Sequence, residues 1–358
     1  MTSRPFGFDA KTYSGINGIA TQNTFGIIKA PTNLWPKWII PVKATSGQMW
    51  IGYTDIAGTQ TLNYYNTGIS SKNPTSAWRR RLCSLSIDKT MMVVGCMNND
   101  NSNGFSVAKN AEIKSFTSVS PNIMTSVEAG MYPYQLSNKQ WLTTGSTLSN
   151  ASIWRYDSNF ANPVASSGNL GTGNCYEITQ SSTGDIYATG GSGSANYIYK
   201  STDNGSNWSL LGNLFSDHCR GVATNGSNVL VAGINGWRFS SNAGSTWISP
   251  NTTLNSYGAY YKNGIYIICG CNSTASNIQT STDGVNWVTS GASTGLLGVI
   301  NIVFDNTSNA FLNVITSGTN RNAWTTYPFA SSNTFTLINA PSEFTFQTAN
   351  SFSAVNTE

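Results

Sequence analysis

The sequence predicts an all-β fold, a seven-bladed β-propeller of four-stranded blades. Three observations predict it. A short apolar strand ending in glycine recurs seven times, at a spacing of about 44 residues that suits propeller blades. Further β-rich runs flank each copy, separated by turn residues. No stretch has a helical period long enough to compete.

The recurring strand reads Gln48-Met49-Trp50-Ile51-Gly52, then Met91-Met92-Val93-Val94-Gly95 and Trp141-Leu142-Thr143-Thr144-Gly145. It returns as Ile186-Tyr187-Ala188-Thr189-Gly190, Val229-Leu230-Val231-Ala232-Gly233 and Tyr266-Ile267-Ile268-Cys269-Gly270. Leu312-Asn313-Val314-Ile315, ahead of Gly318, is the seventh. Such residues fit a pleated, half-buried surface. Turn clusters such as Asn225-Gly226-Ser227-Asn228 and Lys262-Asn263-Gly264 precede them. Upstream of each lies a first strand, beginning near Trp38, Leu82, Met131, Cys175, Cys219, Tyr257 and Gly298. Downstream comes a third strand, such as Tyr197-Ile198-Tyr199-Lys200 or Gly236-Trp237-Arg238-Phe239. A fourth follows a tight turn, which completes a blade. Assigning an end unit differently gives six or eight blades. The repeats span 37–341. Residues 1–36 lack the repeat and form an N-terminal arm or a ring-closing segment. Residues 342–358 form a tail in which Phe344-Thr345-Phe346-Gln347 suits an extra closing strand.

The turn between third and fourth strands has its own signature. It reads Ser201-Thr202-Asp203-Asn204-Gly205-Ser206-Asn207-Trp208 and Ser240-Ser241-Asn242-Ala243-Gly244-Ser245-Thr246-Trp247. One residue shorter, it reads Ser281-Thr282-Asp283-Gly284-Val285-Asn286-Trp287. Asp or Asn can hydrogen-bond its own turn backbone, and Gly accepts a positive φ. Trp buries a large apolar face against neighbouring strands. These turns resemble the Asp box (BNR repeat), S-x-D-x-G-x-x-W. The resemblance covers 197–290 by motif and 37–341 by period. Four further units keep the spacing but not the letters, near Tyr65, Lys109, Asp157 and Thr326. In the Asp-box superfamily the box is a structural turn, usually on the face away from the active site. The resemblance therefore implies structural roles for Ser201, Asp203, Gly205, Trp208, Ser240, Asn242, Gly244, Trp247, Ser281, Asp283, Gly284 and Trp287.

Composition narrows the chemistry. Charged residues are 9% of the 358 residues, against about 25% in an average soluble domain. Ser, Thr and Asn make up roughly a third of the chain, well above average usage. Hydrophobic content of 39% and aromatic content of 12% still supply a core, which excludes a disordered chain. The net charge is +4. Lys and Arg are not clustered as phosphate neutralisation requires, so nucleic acid is not an expected partner. The one basic run, Arg79-Arg80-Arg81, reads as a solvated strand edge. The longest apolar run, near Leu296 to Phe304, is broken by Asn301, so no membrane insertion is expected. The start, Met1-Thr2-Ser3-Arg4-Pro5, has no apolar stretch and suggests no signal peptide. The six cysteines form no C-x-x-C pair and read as small buried thiols.

Catalytic constellations are sparse. Of 10 Asp and 5 Glu, only Glu177, beside Tyr176 on a first strand, is an attractive acid. Glycoside hydrolysis commonly needs two carboxylates flanking one bond. Resemblance to sialidases would also imply an arginine triad and an early Arg-Ile-Pro motif, which is absent. Arg220 falls on a first strand, whereas Arg155, Arg238 and Arg321 fall near third strands. The single histidine, in Asp217-His218-Cys219-Arg220, alternates faces with its neighbours and makes no ready triad. No metal site or cofactor is expected. Asn98-Asn99-Asp100-Asn101 holds one carboxylate, too few for a convincing calcium loop.

The favoured expectation is a non-enzymatic virion propeller, of a phage tail or spike, exposed on the virion surface. Its composition resembles phage surface proteins. It would bind host-surface polysaccharide or decorate the particle, and contact other virion proteins through the N-terminal arm. A surface of hydroxyls, amides and rings suits sugars. The alternatives are a cellular lectin or adhesion propeller, a structural assembly propeller, and a sialidase-like glycoside hydrolase. Ligand contacts are expected on loops between second and third strands and between blades, since loops on a rigid scaffold carry function. That face would include Tyr53, Asp55, Asn99, Asp100, Asp217, His218, Asn235 and Arg321.

Overall fold

The computed structural model describes most of residues 38–338, with loop stretches left out, and residues 355–356. By its contacts the chain divides into two units, 1–34 and 35–358, and the first lies outside the described residues. The described part is all β-strand and turn. Its strands form seven antiparallel sheets.

The sheets run in chain order. The third holds Pro133–Gln135, Trp141–Thr147, Asn150–Tyr156 and Val164–Ala165. The fourth holds Asn174–Gln180, Ile186–Ser192, Ala195–Ser201 and Ser209–Asn213. The sixth holds Asn255–Lys262, Ile265–Cys271, Ser276–Ser281 and Val288–Thr289. The seventh holds Gly298–Phe304, Asn309–Thr316, Thr319–Thr326 and Thr336–Ile338. Short hairpins order these strands, and the two-residue loop Asn263-Gly264, with φ of 50° and 83°, has the I′ character that matches strand twist.

Three sheets depart from the sequence reading. In the fifth, Cys219–Asn225, Asn228–Gly233 and Gly236–Ser240 form three strands, and the fourth shrinks to one bridge between Phe239 and Ile248. In the second, two short segments, Lys72–Asn73 and Cys83–Leu85, share the inner side of Met91–Asn98, followed by Asn103–Lys109 and Thr117–Met124. In the first, the sequence makes Trp38–Lys43 the leading strand. The structure puts Val355–Asn356 ahead of it, pairing Asn356 with Trp38 and Val355 with Ile39, before Met49–Tyr53 and Asn63–Asn66. Val355–Asn356 also touches Gly298–Phe304 and Cys83–Leu85, so the first and last described strands meet in one sheet.

Apolar clusters between successive sheets hold the structure. Met92, Val94 and Ile39 join the first sheet to the second, and Trp141, Phe105 and Phe160 join the second to the third. Leu142, Ile178 and Tyr199 continue to the fourth, and Tyr187, Val222 and Val231 to the fifth. Phe239 and Tyr266, then Ile267 and Leu312, carry the series through the sixth to the seventh. The second to sixth sheets are thus packed on both faces, which explains why their second strands are buried along their length, Thr143, Thr144 and Thr189 included, rather than alternating. Sheets stacked face to face in chain order are the propeller architecture.

Candidate functional site

Four first strands share one irregularity. Their pairing with the second strand slips between Cys175 and Glu177, between Cys219 and Gly221, between Ser256 and Gly258, and between Val299 and Asn301. Each β-bulge leaves one residue unpaired: Tyr176, Arg220, Tyr257 and Ile300. A bulge bends its strand and re-aims a side chain. All four lie where the first strand begins, beside the end of the second strand and its hairpin to the third. At one of them the backbone passes too close to side chains for a Cβ. A Cβ on Gly258 would fall 2.5 Å from the Tyr260 hydroxyl and 2.8 Å from the Cys269 sulfur.

The bulges gather polar and aromatic groups from neighbouring strands. The Tyr176 ring meets His218 edge-on, with centroids 5.9 Å apart. The Arg220 guanidinium carbon lies 4.5 Å from the centre of the Tyr257 ring. That cation–π contact offsets part of the cost of burying the guanidinium, since Arg220 is 4% exposed. Glu177 is equally buried, and its Oε2 accepts the Val222 N–H at 3.3 Å. This bond ties the fourth sheet to the fifth, as does the Thr189 hydroxyl donating to the Arg220 carbonyl at 3.4 Å. Tyr176, His218 and Tyr257 are half-exposed. His218 has φ of 31°, a region few residues other than glycine enter, and its carbonyl accepts the Ile234 N–H at 3.2 Å. Asn235 donates from its backbone to Asn255 and from its side chain to Ser216, each at 3.4 Å.

The structure therefore brings two of the expected contact residues, His218 and Asn235, to this end of the sheets. Tyr53 is half-exposed at a strand end in the first sheet. Arg321 pairs with Val314 in the seventh, and its side chain lies outside the description. Asp55, Asn99, Asp100 and Asp217 fall outside the described residues. Sequence reasoning missed Tyr257 and the Arg220–Tyr257 contact. Aligning first strands by the residue after Cys175, Cys219, Ser256 and Val299 would have shown one position holding Tyr, Arg, Tyr and Ile.

The opposite ends of the sheets carry the Ser/Asp turns. Ser201 Oγ donates to Asp203 Oδ1 at 2.9 Å and accepts the Gly205 N–H at 2.9 Å. Asp203 Oδ1 accepts the Asn207 N–H at 2.9 Å, and Oδ2 accepts the Asn207 side-chain amide at 2.6 Å. Ser281, Asp283, Gly284 and Asn286 repeat this arrangement. Asp157 and Asp305 likewise hold the amides of Asn162 and Asn309, each at 2.7 Å. In the second box the carboxylate is an amide, Asn242, and its partner changes to match. Its Nδ2 donates to Thr246 Oγ1 at 2.9 Å. The backbone N–H of Asn207, then its side-chain amide, hold the Asp203 carboxyl down at about 2. The N–H groups of Asn286 and Val285 lower Asp283 in the same way.

These turns also lock each sheet to the one before. A Cβ on Gly205 would lie 2.8 Å from a Leu142 methyl, and one on Gly244 2.5 Å from a Leu211 methyl. One on Gly284 would enter the Phe239 ring, with two atoms at 2.3 Å. Trp208 and Trp287 cap the turns, donating their indole N–H to the carbonyls of Gly205 and Gly284 at 3.1 and 3.0 Å. Arg155 and Arg238 serve packing. Arg155 Nη1 donates to Ser206 Oγ at 2.7 Å, and Arg238 lies 4.7 Å from the centre of the Phe215 ring. Among the described residues no three His, Cys, Asp or Glu side chains are placed to hold a metal ion. Cys83, Cys175, Cys219 and Cys269 are buried, and burial raises the Cys175 thiol well above its ordinary value.

No family model and no curated protein matches the chain. Solved structures do. A protein from Lactobacillus plantarum superposes with a TM-score of 0.62 at 11% identity, covering 89% of this chain and 99% of its own. Virginiamycin B lyase from Staphylococcus aureus gives 0.56 at 12% identity, over 75% and 86% of the two chains. The β-propeller domain of the Trilobed protease from Pyrococcus furiosus gives 0.53 at 9%, over 84% and 92%. At such identities the likeness concerns the fold alone.

Proposed function

We propose that this chain is a seven-bladed propeller of the Asp-box type that binds glycan without cleaving it. Its ligand surface is the bulged end of the first strands. One observation carries the reading: bulges at matching places on the first strands of three successive sheets set the half-exposed rings of Tyr176 and Tyr257 around the buried Arg220, with His218 beside Tyr176. Half-exposed rings offer flat apolar faces for pyranose rings. Asn235 and Asn255 add amide donors and acceptors for hydroxyls. Binding rather than hydrolysis is favoured because the Glu177 carboxylate is buried and occupied by the Val222 N–H. A hydrolase needs a second carboxylate across the bond. The setting we propose is a virion surface, with host polysaccharide as ligand and residues 1–36 as the attachment to other virion proteins. Composition supports that setting: 9% charged residues and an abundance of Ser, Thr and Asn.

A glycan array probed with the purified chain tests this, with released sugar assayed on the same spots. Bound glycan, lost in Tyr176→Ala with little change in thermal stability and lost in Tyr257→Ala, which also gives up the Arg220 contact, is the expected result. Sugar release would replace binding with hydrolysis. Binding that survives both substitutions would remove the bulged end as the site.

A further inference from the structure

The sequence contains six Asn-Gly steps, and the fold treats one of them differently. We propose that Asn263 is a site of spontaneous deamidation and isoaspartate formation in the folded protein. In this reaction the Gly264 backbone nitrogen gives up its proton and attacks Cγ of Asn263. A carbon–nitrogen bond forms, the Cγ–Nδ2 bond breaks, and ammonia leaves with that proton. Water then opens the cyclic imide at either carbonyl, leaving aspartate or isoaspartate. Nothing is oxidised or reduced. The reaction needs an accessible amide, a following nitrogen free to attack, and a turn with room to rearrange. Glycine in the second position removes the Cβ that would obstruct the attack.

The Asn263-Gly264 turn meets these needs. Both residues are exposed. They form a two-residue loop between the paired Lys262 and Ile265. A Cβ placed on Gly264 would meet no atom within 4 Å. Among the described residues neither the Asn263 amide nor the Gly264 N–H has a hydrogen-bond partner.

The other described steps are held. Gly205 is buried against Leu142, and its N–H is committed to Ser201 Oγ at 2.9 Å. Asn225 is also exposed and a Cβ on Gly226 would meet no atom within 4 Å, but Asn225 is a ladder residue whose backbone is paired with Asn228, whereas Asn263 lies in the loop itself. The Asn235 amide donates to Ser216, while Gly236 is buried and paired with Gly233. Asn103 and Gly104 lie in a strand paired to Met97 and Cys96. Asn17 lies outside the described residues. Modification at Asn263 would add a negative charge to the turn. The isoaspartate form would also lengthen by one methylene a loop whose length sets the register of its strands.

The test is ageing of the full chain in mildly alkaline buffer at body temperature, followed by digestion and mass spectrometry. A second sample is aged in denaturant. Product is read from the mass change of amide to acid and from the separation of aspartyl and isoaspartyl peptides. In the folded protein the Asn263 peptide should form product at least about tenfold faster than those of Asn204, Asn225 and Asn235, a difference of about 1.4 kcal/mol in barrier. In denaturant the four rates should converge. The proposal is overturned if Asn263 is no faster than Asn204 in the folded chain. It is also overturned if the same ranking persists in denaturant, because sequence and not fold would then set it.

Discussion

Gly284→Ala isolates the energy with which a Ser/Asp turn seats against the neighbouring sheet. Two costs add. Alanine at φ of 76° loses the freedom that glycine has there, roughly 1–2 kcal/mol. Its Cβ also drives into the Phe239 ring, whose three nearest atoms lie at 2.3, 2.3 and 2.6 Å. Overpacking of that kind costs about 1–3 kcal/mol. Gly264→Ala is the matched control, with φ of 83° and nothing within 4 Å. The control should lose only the first cost, and Gly284→Ala a total of about 2–5 kcal/mol. Urea denaturation reads the gap. With m of about 3 kcal/mol per molar, a gap of about 1–3 kcal/mol moves the midpoint by roughly 0.3–1 M. Phe239→Leu should recover part of the loss in the Gly284→Ala background, giving a coupling of about 0.5–3 kcal/mol. Equal midpoints for Gly284→Ala and Gly264→Ala would refute the argument, since the turn would then bear no inter-sheet packing.

Three further outcomes follow from the same geometry. Removing residues 351–358 strips Val355 and Asn356 from Trp38–Lys43 and uncovers Ile39; a calorimetric loss worth about 1–3 kcal/mol is expected for the ladder bonds, and an unchanged melting temperature would show that this strand does not close the ring. Asp203, held at about 2 in the fold against an ordinary value of 3.8, favours the folded state above pH 4; that contribution fades as pH falls from about 4 to about 2, because the unfolded chain takes up the proton first. Asp203→Asn should flatten this acid limb. It should also set two amide groups against each other at Asn207, where Asn207→Thr, copying the Asn242–Thr246 pair, restores stability; non-additive midpoints in the four-member cycle would confirm the pairing, and simple additivity would reject it.

How much of this was legible in the sequence depends on the range of the interactions. The glycine-ended strands and the Ser-x-Asp-x-Gly turns were legible because both are local. A β-strand pattern repeats every second residue, and an Asp turn closes within four or five residues by bonds such as Asp203 to Asn207. The apolar series Val229 to Ala232 reads in the sequence as a half-buried strand, and only the structure covers it on both faces. The site was far less legible. His218 and Asn235 were expected on the loop face and do lie together with Tyr176 and Asn255. Tyr257 was not expected, because nothing in Ser256-Tyr257-Gly258 marks the slip that turns its ring toward Arg220.

The sequence by itself determined the all-β class, the repeat and the turn chemistry, since each follows from neighbours along the chain. The tertiary structure alone decided which residue each bulge leaves unpaired. It also decided that Val355–Asn356 precedes Trp38–Lys43 in its sheet and that Arg220 meets Tyr257. These are properties of pairing and stacking between strands. A one-residue slip in pairing turns a side chain to a new direction without changing any local preference.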